Sequence, residues 1–134
     1  MLGLFKSEKK VEQPKILVVD DEHDLVSTVE YRLKFSNCQV VTAENGEEGL
    51  EKAAAEQPDL ILLDTNMPVM DGHEMLRELR AKPETADIPV IMLTAQYGTQ
   101  DIATASAYGI ADYITKPFDF AELMEKVERA LNEA

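Results

Sequence analysis

Residues 60–72 read LILLDTNMPVMDG: four large apolar residues in a row, an aspartate, then a polar loop closing on Asp71-Gly72. A run that is apolar at every position, rather than at every second one, belongs to a strand covered on both faces, as in a parallel sheet. Outward from it, ILVV at 16–19, VVTA at 40–43, VIML at 90–93 and DYI at 112–114 complete a set of five short strands. Amphipathic stretches with a 3.6-residue period separate and follow them: Leu25, Val29, Leu33; Leu50, Ala53, Ala54; Met75, Leu76, Leu79; and Leu123, Val127, Leu131. Asn45, Asp71 and Asp119 each have a glutamate three residues later (Glu48, Glu74, Glu122), the spacing of a capping box, and so mark three helix starts. Residues 99–108, TQDIATASAY, are helical by position but carry a thin apolar stripe, which predicts the least firmly docked helix.

Strand and helix alternating in this way predict an α/β domain with a parallel sheet covered on both faces. Five units are too few for an eight-stranded barrel. Right-handed crossovers leave an open, doubly wound sheet with its ligand site at the carboxyl ends of the strands.

The 134 residues suit one domain, and the single Cys38, beside Val40-Val41, reads as small-residue packing with no disulfide. With 26 acidic and 13 basic side chains the formal charge is −13, the wrong sign for a surface that binds nucleic acid. No apolar run approaches the roughly 20 residues that span a bilayer, and the MLGLFKSEKK start lacks the apolar core of a secretory signal, so a cytoplasmic protein is expected. Residues 1–13 have no sustained period and read as a flexible extension before Pro14.

The chemistry sits where the strands stop. ILVV runs into Asp20-Asp21, LILL into Asp64, VIML into Thr94-Ala95, and DYIT into Lys116-Pro117. Parallel strands bring these ends to one edge and gather three carboxylates, a hydroxyl and an ammonium. The second strand ends in Glu44-Asn45, which helix capping explains. Three crowded carboxylates call for a raised pKa or a hard cation, and Mg²⁺ suits an all-oxygen set that leaves room for phosphate oxygens. His23 and His73 have no Cys or His partner at zinc spacing and read as surface or capping residues. Lys116 and Thr94 suit the oxygens of a transferring phosphoryl group, and Asp64 is the strongest candidate acceptor.

Asp20-Asp21, Asp64 with Met67-Pro68 and Asp71-Gly72, Thr94-Ala95, and Lys116-Pro117-Phe118, in this order, resemble the receiver domain of two-component response regulators, in particular a stand-alone chemotaxis-type receiver. The resemblance covers residues 14–133 and assigns 14–134 to one receiver domain. It implies a flavodoxin-like, doubly wound five-stranded parallel sheet of order 2-1-3-4-5 with five helices. It further implies that Asp64 is the phosphoacceptor, that Asp21, Asp64 and the Asn66 carbonyl bind Mg²⁺ directly, and that Asp20 does so through water. Lys116 would pair with the phosphorylated carboxylate, Thr94 and the backbone N–H groups of Asn66 and Ala95 would bind phosphoryl oxygens, and Tyr113 would be the aromatic switch. A cis Lys116-Pro117 bond is implied too. The partners would be a sensor histidine kinase or phosphotransfer protein, and a downstream protein met by the face of the fourth helix, fifth strand and fifth helix, with neither nucleic acid nor membrane engaged. Ile110-Ala111, where many members carry a small residue followed by an acid, and the loop Gln96-Tyr97-Gly98 depart from the pattern; both bear on access and switching rate.

The competing reading is a Mg²⁺-dependent phosphatase of the haloacid dehalogenase type, which also uses an aspartate nucleophile. Those enzymes carry a second acid two residues after the nucleophile, and here that position is Asn66. A flavin-binding module is disfavoured because Asp20-Asp21 would repel an FMN phosphate. No linker or effector domain follows the last helix within the chain, so a DNA-binding regulator is disfavoured as well.

Overall fold

The computed structural model describes residues 13–95 and 99–133. The expected extension, Gln13 apart, and the Gln96-Tyr97-Gly98 loop lie outside them. In chain order the elements are β1 (Lys15–Val19), α1 (His23–Phe35), β2 (Gln39–Ala43), α2 (Gly46–Glu56), β3 (Leu60–Asp64), α3 (Gly72–Ala81), β4 (Val90–Thr94), α4 (Thr99–Ser106), β5 (Asp112–Thr115) and α5 (Phe120–Glu133). All four strand pairings are parallel, and the sheet order is β2-β1-β3-β4-β5, the flavodoxin-like order that the resemblance implied.

Because successive side chains of a strand point to opposite faces, each apolar run feeds two cores. Ile16, Val18, Leu60, Leu62, Ile91, Leu93 and Ile114 pack with Val29 and Leu33 of α1 and Leu123 and Val127 of α5. Leu17, Val19, Ile61, Leu63, Val90 and Met92 pack with Ala53 of α2, Met75, Leu76 and Leu79 of α3, and Ala105 of α4. The central strands β1, β3 and β4 are buried along nearly their whole length, whereas the edge strands β2 and β5 are only half-buried. Cys38 is buried and free, and burial pushes its thiol up to about 11, which fits packing rather than reactivity.

Two of the three predicted caps have the expected bond: Asn45 accepts from the Glu48 N–H and Asp71 from the Glu74 N–H, each at 2.9 Å. Asp119 instead accepts from the Ala121 N–H at 3.2 Å, one residue earlier than a capping box requires. His23 opens α1 on the surface, 3.7 Å from Glu44, and His73 is half-buried in the first turn of α3. Gly72 is fixed by space. A Cβ there would stand 2.1 Å from the Asp64 carbonyl oxygen, so only glycine lets α3 start this close to the end of β3.

Among the described residues α4 is the shortest helix, and of its residues 102–106 only Ala105 is buried, in keeping with its thin apolar stripe. Its far end is held by a residue of another helix. The Arg80 guanidinium donates to the carbonyls of Tyr108 (2.9 Å) and Gly109 (3.1 Å) after α4, and of Ala86 (3.1 Å) and Ile88 (3.0 Å) before β4. One planar fork thus ties two loops to α3, a geometry that lysine cannot reproduce. Arg80→Ala is expected to cost about 1–3 kcal/mol in urea unfolding, and Arg80→Lys to recover less than half of that. A loss below about 0.5 kcal/mol for Arg80→Ala would mean that water replaces the clamp.

Candidate functional site

Register explains why distant residues converge. Val19 pairs with Leu63, so Asp20 and Asp64, each the next residue, come side by side where the two central strands end. Asp64 pairs with Leu93, which puts Thr94 one step beyond, and Thr94 pairs with Thr115, which puts Lys116 one step further. Strand order reverses between β1 and β3, so this is also the crevice in which an open α/β sheet binds its ligand.

Asp20, Asp21 and Asp64 each place a carboxylate oxygen within 4.8 Å of the others. Asp20 and Asp64 are buried, and Asp21 is exposed at the rim. The Lys116 ammonium reaches into the group, 2.9 Å from Asp20 Oδ2 and 3.4 Å from Asp64 Oδ1. Asn66, exposed on the loop after β3, directs its N–H to Asp64 Oδ1 at 3.4 Å. Ala95, exposed, directly follows Thr94, and the Lys116-Pro117 bond is cis.

Burial is the main reason that the Asp64 carboxyl is pushed up to about 6, and the neighbouring Asp20 charge adds to it. The Lys116 charge, the Asn66 N–H and the Lys116 hydrogen bond offset only part of this. For Lys116, burial pulls the ammonium pKa down. The hydrogen bonds to Glu22 and Asp20 and the charges of Asp20 and Asp64 outweigh burial and leave it above its ordinary value. The donor set is all carboxylate oxygen with a net negative charge, which fits a hard divalent cation such as Mg²⁺ and offers nothing to a soft one.

Thr94 Oγ1 is buried and has no hydrogen-bond partner among the described residues. Buried hydroxyls are seldom left unmatched, so this one stands out at the end of β4. Tyr113 keeps to the surface of β5, 39% exposed, with the Lys126 ammonium 5.8 Å from its ring centroid.

Glu22 is the residue that the sequence reading missed. Its Oε1 lies 2.6 Å from Lys116 Nζ, the shortest contact the lysine makes. Directly after Asp20-Asp21 it looks like one more acid at a helix start, and only the fold brings it to a residue 94 positions away.

The family model of the response regulator receiver domain matches residues 16–128. Over 121 residues the chain is 40% identical to the transcriptional regulatory protein PrrA of Mycobacterium tuberculosis, covering 90% of this chain and 51% of that protein. It is 43% identical over 117 residues to the alkaline phosphatase synthesis transcriptional regulatory protein PhoP of Bacillus subtilis, covering 87% and 48%. The chain therefore spans about half the length of the curated relatives it matches. Among solved structures, the chemotaxis response regulator CheY4 of Vibrio cholerae superposes with a TM-score of 0.83 at 32% identity, covering 89% of this chain and 99% of that one. This chain belongs to the response regulator receiver domain family, the phosphorylation-activated switches of two-component signalling. None of these matches supports the dehalogenase-type alternative.

A buried carboxylate with a raised pKa has a predictable signature. Between the unfolded value of 3.8 and the folded value of about 6, the folded chain binds more protons than the unfolded one, so stability falls as pH rises through that window. Asp64→Asn removes this contribution. The variant is expected to be more stable than the wild type at pH 7.5, by roughly 1–2 kcal/mol without added metal, with most of the gain gone at pH 4. Equal gains at both pH values in thermal unfolding would show that Asp64 is not held in a strained ionised state.

Proposed function

We propose that Asp64 accepts a phosphoryl group from the phosphohistidine of a sensor histidine kinase or phosphotransfer protein. A carboxylate oxygen of Asp64 forms the new O–P bond as the P–N bond of the donor breaks and its electron pair returns to the imidazole. The observation that carries this reading is the meeting at one strand edge of a buried carboxylate, a half-buried ammonium and a buried hydroxyl that has no partner among the described residues. The carboxylate is the nucleophile, Lys116 balances charge on the acyl phosphate, and Thr94 Oγ1 gains a phosphoryl oxygen as acceptor, helped by the Asn66 and Ala95 N–H groups. Asp21, Asp64 and the Asn66 carbonyl would hold Mg²⁺ directly and Asp20 through water; bound there, the ion supplies positive charge to the phosphoryl oxygens. The chemistry assigned to the chain is confined to its own carboxylate, which it phosphorylates at the expense of the donor.

The output reading rests on Thr94 and Tyr113. Drawing Thr94 towards a phosphoryl group frees space at the end of β4 for the half-exposed Tyr113 ring, which alters the face of α4, β5 and α5 that a downstream protein would meet. A coupling of about 1–3 kcal/mol is enough for such a population shift. Action of this domain through protein contacts rather than nucleic acid accords with the net charge of −13, and among the described residues no helix is long and apolar enough to cross a membrane.

Acetyl phosphate should add one phosphoryl group in intact-protein mass spectrometry, only with Mg²⁺ present, and none in Asp64→Asn. Undiminished labelling of that variant would overturn the assignment of Asp64.

A further inference from the structure

The three contacts of Lys116 are unequal. Its Nζ lies 2.6 Å from Glu22, 2.9 Å from Asp20 and 3.4 Å from Asp64, and the last is longer than a good N–H···O bond. An ammonium has only three N–H donors, so an acceptor that gains one takes it from another. The Asp20 side chain is fully buried and also accepts from the Glu22 N–H at 2.9 Å, so it is fixed in place. The Glu22 side chain is 60% exposed and has water to turn into.

Glu22 also occupies the N-cap position of α1, where Ser, Thr, Asp or Asn usually accepts from the first turn. Its side chain makes no capping bond. Its carboxylate is therefore not used in capping the helix, and it is turned across the site to the lysine that follows the edge strand β5.

We propose that Glu22 is a positioning residue that holds the Lys116 ammonium in a resting pose, off Asp64, and that it must release the lysine before Lys116 can pair with a phosphorylated Asp64. The proposal rests on Asp64 as acceptor and adds a competitor for the lysine that serves it. Glu22 thus opposes both the gain and the retention of the phosphoryl group. Because the pair is solvent-exposed on one side, the effect is modest, roughly two- to five-fold.

The experiment compares the full chain with Glu22→Ala and Glu22→Asp. Aspartate keeps the charge but is one methylene too short to hold Lys116 in this pose. Labelling by acetyl phosphate with Mg²⁺ is followed against donor concentration, and the Lys116 side-chain ¹⁵Nζ resonance is read by NMR in the unphosphorylated protein. Both variants are expected to raise the saturating rate about two- to five-fold, with half-saturation unchanged in Glu22→Asp, and to shift the Lys116 resonance. Wild-type rates in both variants, or a Lys116 resonance indifferent to both substitutions, would overturn the proposal. A gain confined to Glu22→Ala and expressed in half-saturation alone would overturn it too, since Glu22 would then act by repelling the anionic donor. A wild-type chain that takes no label at Asp64 while its Lys116 resonance still responds would instead overturn the phosphoacceptor reading, and with it any role of Glu22 against phosphorylation.

Discussion

Asp20 and Asp64 are pressed together at the end of the two central strands, with Asp21 at the rim, and the Lys116 ammonium reaches in to pair with Asp20 and to approach Asp64. That confinement is unfavourable by itself: burial and the adjacent Asp20 charge push the Asp64 carboxyl up to about 6. A fold tolerates it only if the backbone leaves no alternative, and the two apolar cores that clamp the sheet from both faces do that. The parallel register then makes Asp20 and Asp64 neighbours whatever their charges. The same crowding is what the proposed function would use, since a hard cation, and a group that engages Lys116 and Thr94 together, would relieve it.

Around this fixed centre the parts that the proposed switch would use lie on β4 and β5. Thr94 has a buried hydroxyl with no partner among the described residues, Tyr113 is half-exposed, and of α4 residues 102–106 only Ala105 is buried. Arg80 sets the limit of that freedom. By binding the Tyr108 and Gly109 carbonyls it fixes the chain after α4, so a rearrangement starting at Thr94 works against a pinned far end. The Lys126 and Arg129 contacts to Asp112 tie α5 to the start of β5 from the other side.

The legibility of the sequence follows the range of the forces. The apolar runs at 16–19, 60–63 and 90–93 identify buried parallel strands by their composition, and once those strands are placed Asp20, Asp64, Thr94 and Lys116 fall at one edge. Asn45 and Asp71 were readable as caps because a cap is made within three residues. Asp119 shows the limit: the residue is right, but the N–H that it receives is that of Ala121, one position short of the capping box. The Arg80 clamp and the Glu22–Lys116 pair were not readable at all. Each joins residues far apart through the end of a long, flexible side chain, and in sequence each looks like one more charge on a solvated helix.

The central claim is that the crowded strand edge makes Asp64, and neither Asp20 nor Asp21, the carboxylate that receives the phosphoryl group. Borohydride reduces an acyl phosphate to the alcohol and leaves free carboxylates untouched, so it writes the site into the covalent structure. Treatment of the chain with acetyl phosphate and Mg²⁺, then borohydride, followed by peptide sequencing, should find homoserine at position 64 alone. Homoserine at position 20 or 21, or none in a chain whose mass shows an added phosphoryl group, would contradict the account.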